Sequence, residues 1–283
     1  MTEANLARDA WLELRRNPKF LVSGVLILLI VVIAIAPQRF TSILPYDCSL
    51  SEHFLGRPSP GHPFGFDTLG CDYYTRVLYG ARTSVSIGLL TVIGATLIAA
   101  VGGSISGYYG GVIDTVVTRV TDVWFAIPTI LGGIVLLSAL RRRGIGEVAL
   151  VLTALGWPAM LRLMRSAVLS AAQADYVNAA RALGAGDLRI MRRHILPNAI
   201  APVVVYATIF VGIAISAEAA LTFLGVGLQP PAISWGLQLE AAEDRLLTAP
   251  HLLLFPGLFL SATIFSFILM GDALRDAFDP KLR

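Results

Sequence analysis

From Phe20 to Ala36 the chain runs for 17 residues without a charged side chain. That length is at the short end of what crosses about 30 Å of hydrocarbon as a helix. Backbone placed in lipid must satisfy its own N–H and C=O groups, so such a run commits the chain to spanning helices. The composition agrees, because only 14% of residues are charged, against about 25% in a soluble domain. Ala34-Ile35-Ala36 resembles a signal-peptide cleavage site, but Pro37 follows it and the run exceeds the usual 7–15 residues. The reading is a retained first span.

Five more apolar segments follow. They are Thr83–Gly107 with Gly88, Gly94, Gly102 and Gly103, Val120–Leu140 with Pro128, Ile145–Leu163 with Gly156 and Pro158, Ala199–Leu224, and Leu252–Gly271. Small residues let helices approach closely in lipid, and an internal proline is tolerated where neighbours satisfy the freed carbonyl. Residues 37–82 read as an outer loop. Residues 1–19, with Arg8, Arg15, Arg16 and Lys19 beside Trp11, Leu12 and Leu14, read as a short amphipathic helix on the membrane surface. A disordered basic tail is the alternative.

The sequence therefore predicts an all-α integral membrane protein of six spans. With both termini in the cytoplasm, 14 of the 22 Lys and Arg residues fall inside, as the positive-inside rule requires. Arg141, Arg142 and Arg143 are the exception, in a short outer loop. The basic residues flank apolar spans, so they read as orientation signals facing lipid headgroups and not as a nucleic-acid surface.

The longest polar interruption is 175–198, DYVNAARALGAGDLRIMRRHILPN. Asp175 is placed to cap a helix whose face is Tyr176, Ala179, Ala180 and Leu183, and Gly184 to end it in the left-handed conformation. Asp187 would cap a second helix with Leu188, Met191 and Ile195 on one face. Pro197 would end it, and Asn198 would cap the fifth span. A short helix with a small-residue face suits a groove on another protein; lying on headgroups is the equal alternative.

Glu218 is the one charge within the fifth span. An ionisable group there should face the bundle and find a partner, either bracing helices, which Gly225 and Gly227 favour, or lining a path. Asp114, Arg119 and Asp122 form either an ion-pair cluster or a solvated turn. Asp272, Arg275, Asp276 and Asp279 read as an exposed helix end, with a cation site the weaker alternative. His53, His62, His194 and His251 are scattered, no CxxC or Cys/His cluster is present, and no metal site is expected. HExxH, GxSxG and the phosphate-cradling GxxxxGK[ST] are all missing. This is not the sequence of an enzyme, and any ATP it uses is hydrolysed elsewhere.

The pattern Asn178-Ala179-Ala180, Gly184 and Leu196-Pro197 resembles the EAA loop of ABC-importer permeases. Asn178 stands where the general motif has Glu, and His194 where it often has Ile. The variant YVNAARALGA…RHILPN is similar to the dipeptide/oligopeptide/nickel permease family, in its C-type subunit. GFDTLGCDYYTRVLYGARTSVSIGL, GYYGGVIDTVVTRVTD, EAALTFLGVGLQPPAISWG and PGLF…GDALRDAFDP follow that family in order.

The resemblance implies a type I ABC importer permease fold. Residues 1–82 would form the amino-terminal segment, first span and outer loop, and 83–283 a five-helix core with its coupling loop at 166–199. It implies that Tyr176, Val177, Asn178, Ala179, Ala180, Arg181, Ala182, Leu183 and Gly184 form a coupling helix seated on an ATPase, flanked by Asp175, Leu196 and Pro197. The partners implied are a second related permease, two cytoplasmic ATPases holding ATP and Mg, and an extracytoplasmic substrate-binding protein. This chain itself would bind no cofactor. The cargo implied is a di- or oligopeptide, with a nickel or other metal chelate as the alternative. A secondary transporter is the rival class, expected to show internal repeats and no docking loop. The family usually has Arg at the position of Cys71. Cys48 and Cys71 share the outer, oxidising side, which predicts a disulfide, with two unpaired thiols the alternative.

Overall fold

A computed structural model describes residues 11–278. Arg8 of the amino-terminal segment and Asp279 of the carboxyl-terminal helix end lie outside the described residues. Helix α1 is Pro18–Ile35, with proline in its first turn and the Asn17 side chain accepting from Lys19 N at 2.9 Å. Upstream, Leu14 is buried against Ala273 and Ala277 while Trp11 stays exposed. The segment before α1 therefore docks on the last helix instead of lying wholly on the membrane surface.

Helix α2 is Tyr73–Tyr109, 37 residues long, about 55 Å at 1.5 Å per residue. It begins ten residues before the apolar run because Asp72 caps it, accepting from Thr75 N at 2.8 Å. Gly110, at φ +64°, stops it. The expected third span is broken. Helix α3, Gly111–Phe125, and α4, Thr129–Ser138, meet at 84° across Ala126–Pro128. Helices α5 (Ile145–Ala172) and α6 (Asp175–Ala182) follow. Then come a turn of helix at Asp187–Ile190, a π turn at Met191–Ile195, and α7, Leu196–Phe223. Helices α8 (Trp235–Ala242) and α9 (His251–Phe278) complete the chain. Among the described residues five stretches are long and apolar enough to cross a membrane, and six if the bent α3–α4 pair counts as one.

Helix α2 packs along α5, while α7 sits against α2, α5 and α9. The close approach is written in a GxxxG pair. A Cβ at Gly103 would lie 2.9 Å from Leu161 O, and one at Gly107 2.7 Å from Arg165 O, both backbone atoms of α5. Without a hydrophobic drive between helices in lipid, such backbone proximity carries the association. Pro158, Pro202 and Pro256 lie inside continuous helices. Among the described residues there is no strand, only isolated bridges in the 48–72 loop.

Candidate functional site

The polar insert folds as two short helical pieces at the end of the bundle where α5 stops and α7 starts. Helix α6 begins one residue earlier than expected, with Ala174 at the cap and Asp175 in its first turn. Asp175 makes no capping bond, but a carboxylate there still complements the helix dipole. The stop at Gly184 is a Schellman turn. Gly184, at φ +82°, donates from N to Arg181 O at 3.0 Å, and Ala185 N donates to Ala180 O at 3.1 Å.

Val177 anchors this helix. It is fully buried in the main core with Ile190 and Ile195. Of the face expected from the sequence, only Ala180 packs inward. Tyr176 and Ala179 are exposed, and Leu183 is 89% exposed. Leu188 is also outside, at 65%. The second piece therefore buries Ile190, Met191 and Ile195, correcting the expected Leu188 face. The cap of that piece is Gly186, not Asp187; the Asp187 carboxylate instead accepts the Tyr108 hydroxyl at 2.7 Å.

Pro197 does not end the second helix. The π turn at Met191–Ile195 runs straight into α7, whose first turn holds Pro197. Asn198, expected to cap the fifth span, donates from Nδ2 to Tyr176 Oη at 3.2 Å and to His194 O at 2.8 Å. The outcome is a rigidly rooted loop that shows Tyr176, Ala179, Leu183 and Leu188 to the outside.

At the opposite end, Cys48 and Cys71 are bonded to each other. Asp67 organises the loop they close. Its Oδ1 accepts from Leu69 N at 2.8 Å and Cys71 N at 3.0 Å, and its Oδ2 accepts from Arg76 Nη1 at 2.5 Å. Helix α8 is pinned beside it by Trp235, fully buried, whose Nε1 donates to Val77 O at 3.0 Å, and by Gln238, which donates to Arg76 O at 2.7 Å. Disulfide loop and α8 enclose a cavity of about 370 Å³ that includes Tyr46, Asp67, Arg76 and Glu240 in its lining. Sequence reasoning found neither α8 nor this role for Trp235; SWG marked the place only as part of a longer motif.

Glu218 is fully buried in α7. Thr222 Oγ1 donates to its Oε1 at 3.0 Å, the Ser84 and Ser234 side chains stand beside it, and Oε2 has no hydrogen-bond partner. Asp114, Arg119 and Asp122 do not form one cluster. Asp114 pairs with Arg165 and accepts from Ser106 Oγ at 2.5 Å, and Asp122 pairs with Arg162. Arg119 keeps a looser contact with Asp122 at 3.7 Å. Asp276 meets Lys19 at 3.6 Å. Among the described residues no group of three or more His, Cys, Asp or Glu side chains is placed to hold a metal ion.

Residues 99–283 match the model of the binding-protein-dependent transport system inner membrane component, and residues 5–54 that of the N-terminal transmembrane domain of oligopeptide transport permease C. The chain belongs to the binding-protein-dependent inner-membrane transport family. It is a permease of an ABC importer, a multi-pass protein of the inner membrane. Curated relatives align over nearly its whole length. The glutathione transport system permease protein GsiD of Pectobacterium atrosepticum is 36% identical over 98% of this chain and 91% of the relative. The protein of that name from Shigella flexneri is 40% identical over 97% and 90%, and that from Escherichia coli 37% over the same shares. The permease assignment fits the type I fold and covers both ends of the bundle described above.

Proposed function

We propose that this permease imports short peptides, in the size class of a tripeptide, and that α6 is the element through which ATPase subunits drive it. The observation that carries the reading is the inverted burial of α6. Val177 roots the helix, while Ala179 and Leu183 are held outward and exposed, and Tyr176 beside them is partly covered by Asn198 and His194. A hydrophobic side chain such as Leu183, left 89% exposed on a capped and braced helix, suits a groove on a partner. The peptide cargo is supported by relatives named for glutathione transport.

In this reading the α6 end faces the cytoplasm and the disulfide end faces outward, toward a substrate-binding protein. A second permease completes the path. Coupling requires that α6 make different contacts in the two nucleotide states of the ATPases, because no ligand shifts an equilibrium beyond its differential affinity. Reconstitution with ATPases, second permease and binding protein tests it. ATP-dependent accumulation of a labelled tripeptide or dipeptide is expected, lost on Leu183→Asp with the permease pair intact. Uptake that persists without the ATPases would refute the coupling role. ATP-driven uptake of non-peptide solutes alone would refute the cargo.

A further inference from the structure

Helix α3 is attached to the bundle in an unusual way. Of its 15 residues only Thr121 is buried, while Val112, Val116, Val120 and Val123 all face outward. Its grip on the rest of the chain is largely polar, with Val117 packed on the main core and Trp124 beside Trp157 as its apolar contacts. Asp114 takes both Nε and Nη2 of Arg165 and the Ser106 hydroxyl. Asp122 takes Arg162, whose guanidinium also stacks over Phe125 at 4.2 Å. Trp124 Nε1 donates to Ala154 O at 2.5 Å.

Both ends of α3 are joints. At one end Gly110 and Gly111 both have positive φ, +64° and +56°, a backbone region open mainly to glycine. At the other, the chain turns through 84° at Ala126–Pro128. An apolar interface changes little without exposing surface, whereas carboxylate–arginine pairs can be exchanged as units between two arrangements. Helix α3 is therefore an arm held by ionic clasps between two hinges.

The coupling loop reaches this arm at the first hinge. Tyr108, two residues before Gly110, donates to Asp187 Oδ1 at 2.7 Å, and Arg181 of α6 interacts with the same hydroxyl. Two residues further back, Ser106 holds Asp114. One turn of α2 thus joins the coupling loop on one side to the arm on the other. At its far end the arm supplies Trp124 and Phe125, and the second hinge Ile127, to a cavity of about 250 Å³ that Tyr206 and Phe210 of α7 also line.

We propose that Tyr108 and Asp114 are positioning residues for transport. Motion of α6 is passed through Arg181 and Asp187 to Tyr108, and the Asp114–Arg165 clasp converts it into a swing of α3 that opens or closes the aromatic cavity. This rests on the coupling role proposed for α6, and adds the route by which that motion reaches the bundle.

The test uses the complete importer in proteoliposomes, reading tripeptide uptake and ATP hydrolysis separately. Tyr108→Phe and Asp114→Asn are each expected to lower uptake per ATP hydrolysed by roughly fivefold or more, the scale of ordinary coupling factors, with the ATPases still bound. Asp114→Arg is expected to abolish uptake, and Asp114→Arg with Arg165→Asp to restore part of it. Spin labels at Val116 and Leu169, exposed on α3 and α5, give a second reading. Their separation is expected to differ between nucleotide-free and ATP-trapped importer, and the difference to vanish in Tyr108→Phe. An unchanged separation in the wild-type importer, or wild-type stoichiometry in both single variants, overturns the route. Loss of ATP-dependent uptake in the wild-type importer would instead overturn the coupling reading on which it rests.

Discussion

Asn198 and Tyr176 are joined across the loop, amide to phenol at 3.2 Å, so the start of α6 is tied to the root of α7. The same Asn198 amide also donates to His194 O at 2.8 Å, inside the π turn. A rigid α6 needs this tie, because the helix has only Val177 as a fully buried anchor. Asn198→Ala should cost about 1 kcal/mol of stability, the scale of a net hydrogen bond. The expected larger effect is on transport, with lower uptake at unchanged ATPase binding. Thermal unfolding and uptake measured on the same preparation check both; equal uptake would show that the tie is dispensable.

At Gly184 the constraint is conformational and not steric. Its φ is +82°, and a Cβ built there meets nothing within 4 Å. An L-residue in the left-handed region costs roughly 1–2 kcal/mol, with asparagine the mildest. Gly184→Asn should therefore retain most uptake, Gly184→Ala lose part, and Gly184→Val lose most, although the Cβ that all three add meets nothing within the chain. The rank order is the measurement. If Ala is tolerated while Asn and Val both fail, bulk at the partner's groove decides the outcome instead of backbone strain.

The loop was legible in parts, and the parts differ in kind. Gly184 was found because a positive φ leaves a local signature that glycine alone satisfies easily. Val177 was not, because a helix of eight residues has room for two faces of similar hydrophobicity, and only the body it lands on chooses between them. The spans read well wherever the apolar run and the helix coincide, as in α1 and α7. The third was expected as one continuous helix with Pro128 tolerated as Pro158 is, and it is bent instead into α3 and α4, whereas Pro158 sits in an unbroken helix. The difference lies in Arg162 and Arg165, more than thirty residues downstream, which hold the arm in its bent position. Tyr108 escaped notice for the same reason, its partner Asp187 being 79 residues away.

Closing the outer loop with the Cys48–Cys71 bond restrains 23 residues of separation, worth about 3 kcal/mol in the chain-entropy model. Phe54, inside that loop, is 53% exposed. Reduction, or Cys48→Ala with Cys71→Ala, should speed chymotrypsin cleavage after Phe54 without releasing the chain from the membrane. Digestion with and without reductant reads this directly. Equal rates would mean that the other loop contacts hold it unaided.

Those other contacts centre on Asp67, which is 7% exposed and serves two backbone N–H groups and Arg76 at once. Removing one partner of a buried ion pair costs about 3–5 kcal/mol. Asp67→Ala should approach that cost and leave Arg76 without its counter-charge. Asp67→Asn keeps the size and an acceptor, and should cost less. Adding Arg76→Leu to Asp67→Ala should recover part of the loss, since no uncompensated charge then remains. A double-mutant cycle on thermal stability measures the coupling; strict additivity would deny the pair a stabilising role.

Glu218 gives the sharpest choice between bracing and lining. Its carboxylate is fully enclosed, bound through Oε1 by Thr222 on its own helix, with Ser84 of α2 and Ser234 just before α8 alongside. Three elements meet there, which suits a brace. The described residues offer this carboxylate hydroxyl groups and no cation, so the charge itself contributes little, because a buried charge without an opposite partner is costly. Glu218→Gln keeps the acceptor and offers an amide to the serine hydroxyls, so assembly, uptake and cargo preference should stay unchanged and thermal stability should hold or rise. Glu218→Ala removes the contact and leaves a void, costing about 2 kcal/mol or more, and should weaken assembly first. Comparing assembly with cargo competition in the two variants separates the roles: a Gln variant that assembles normally but changes its preference among peptides would place Glu218 on the path.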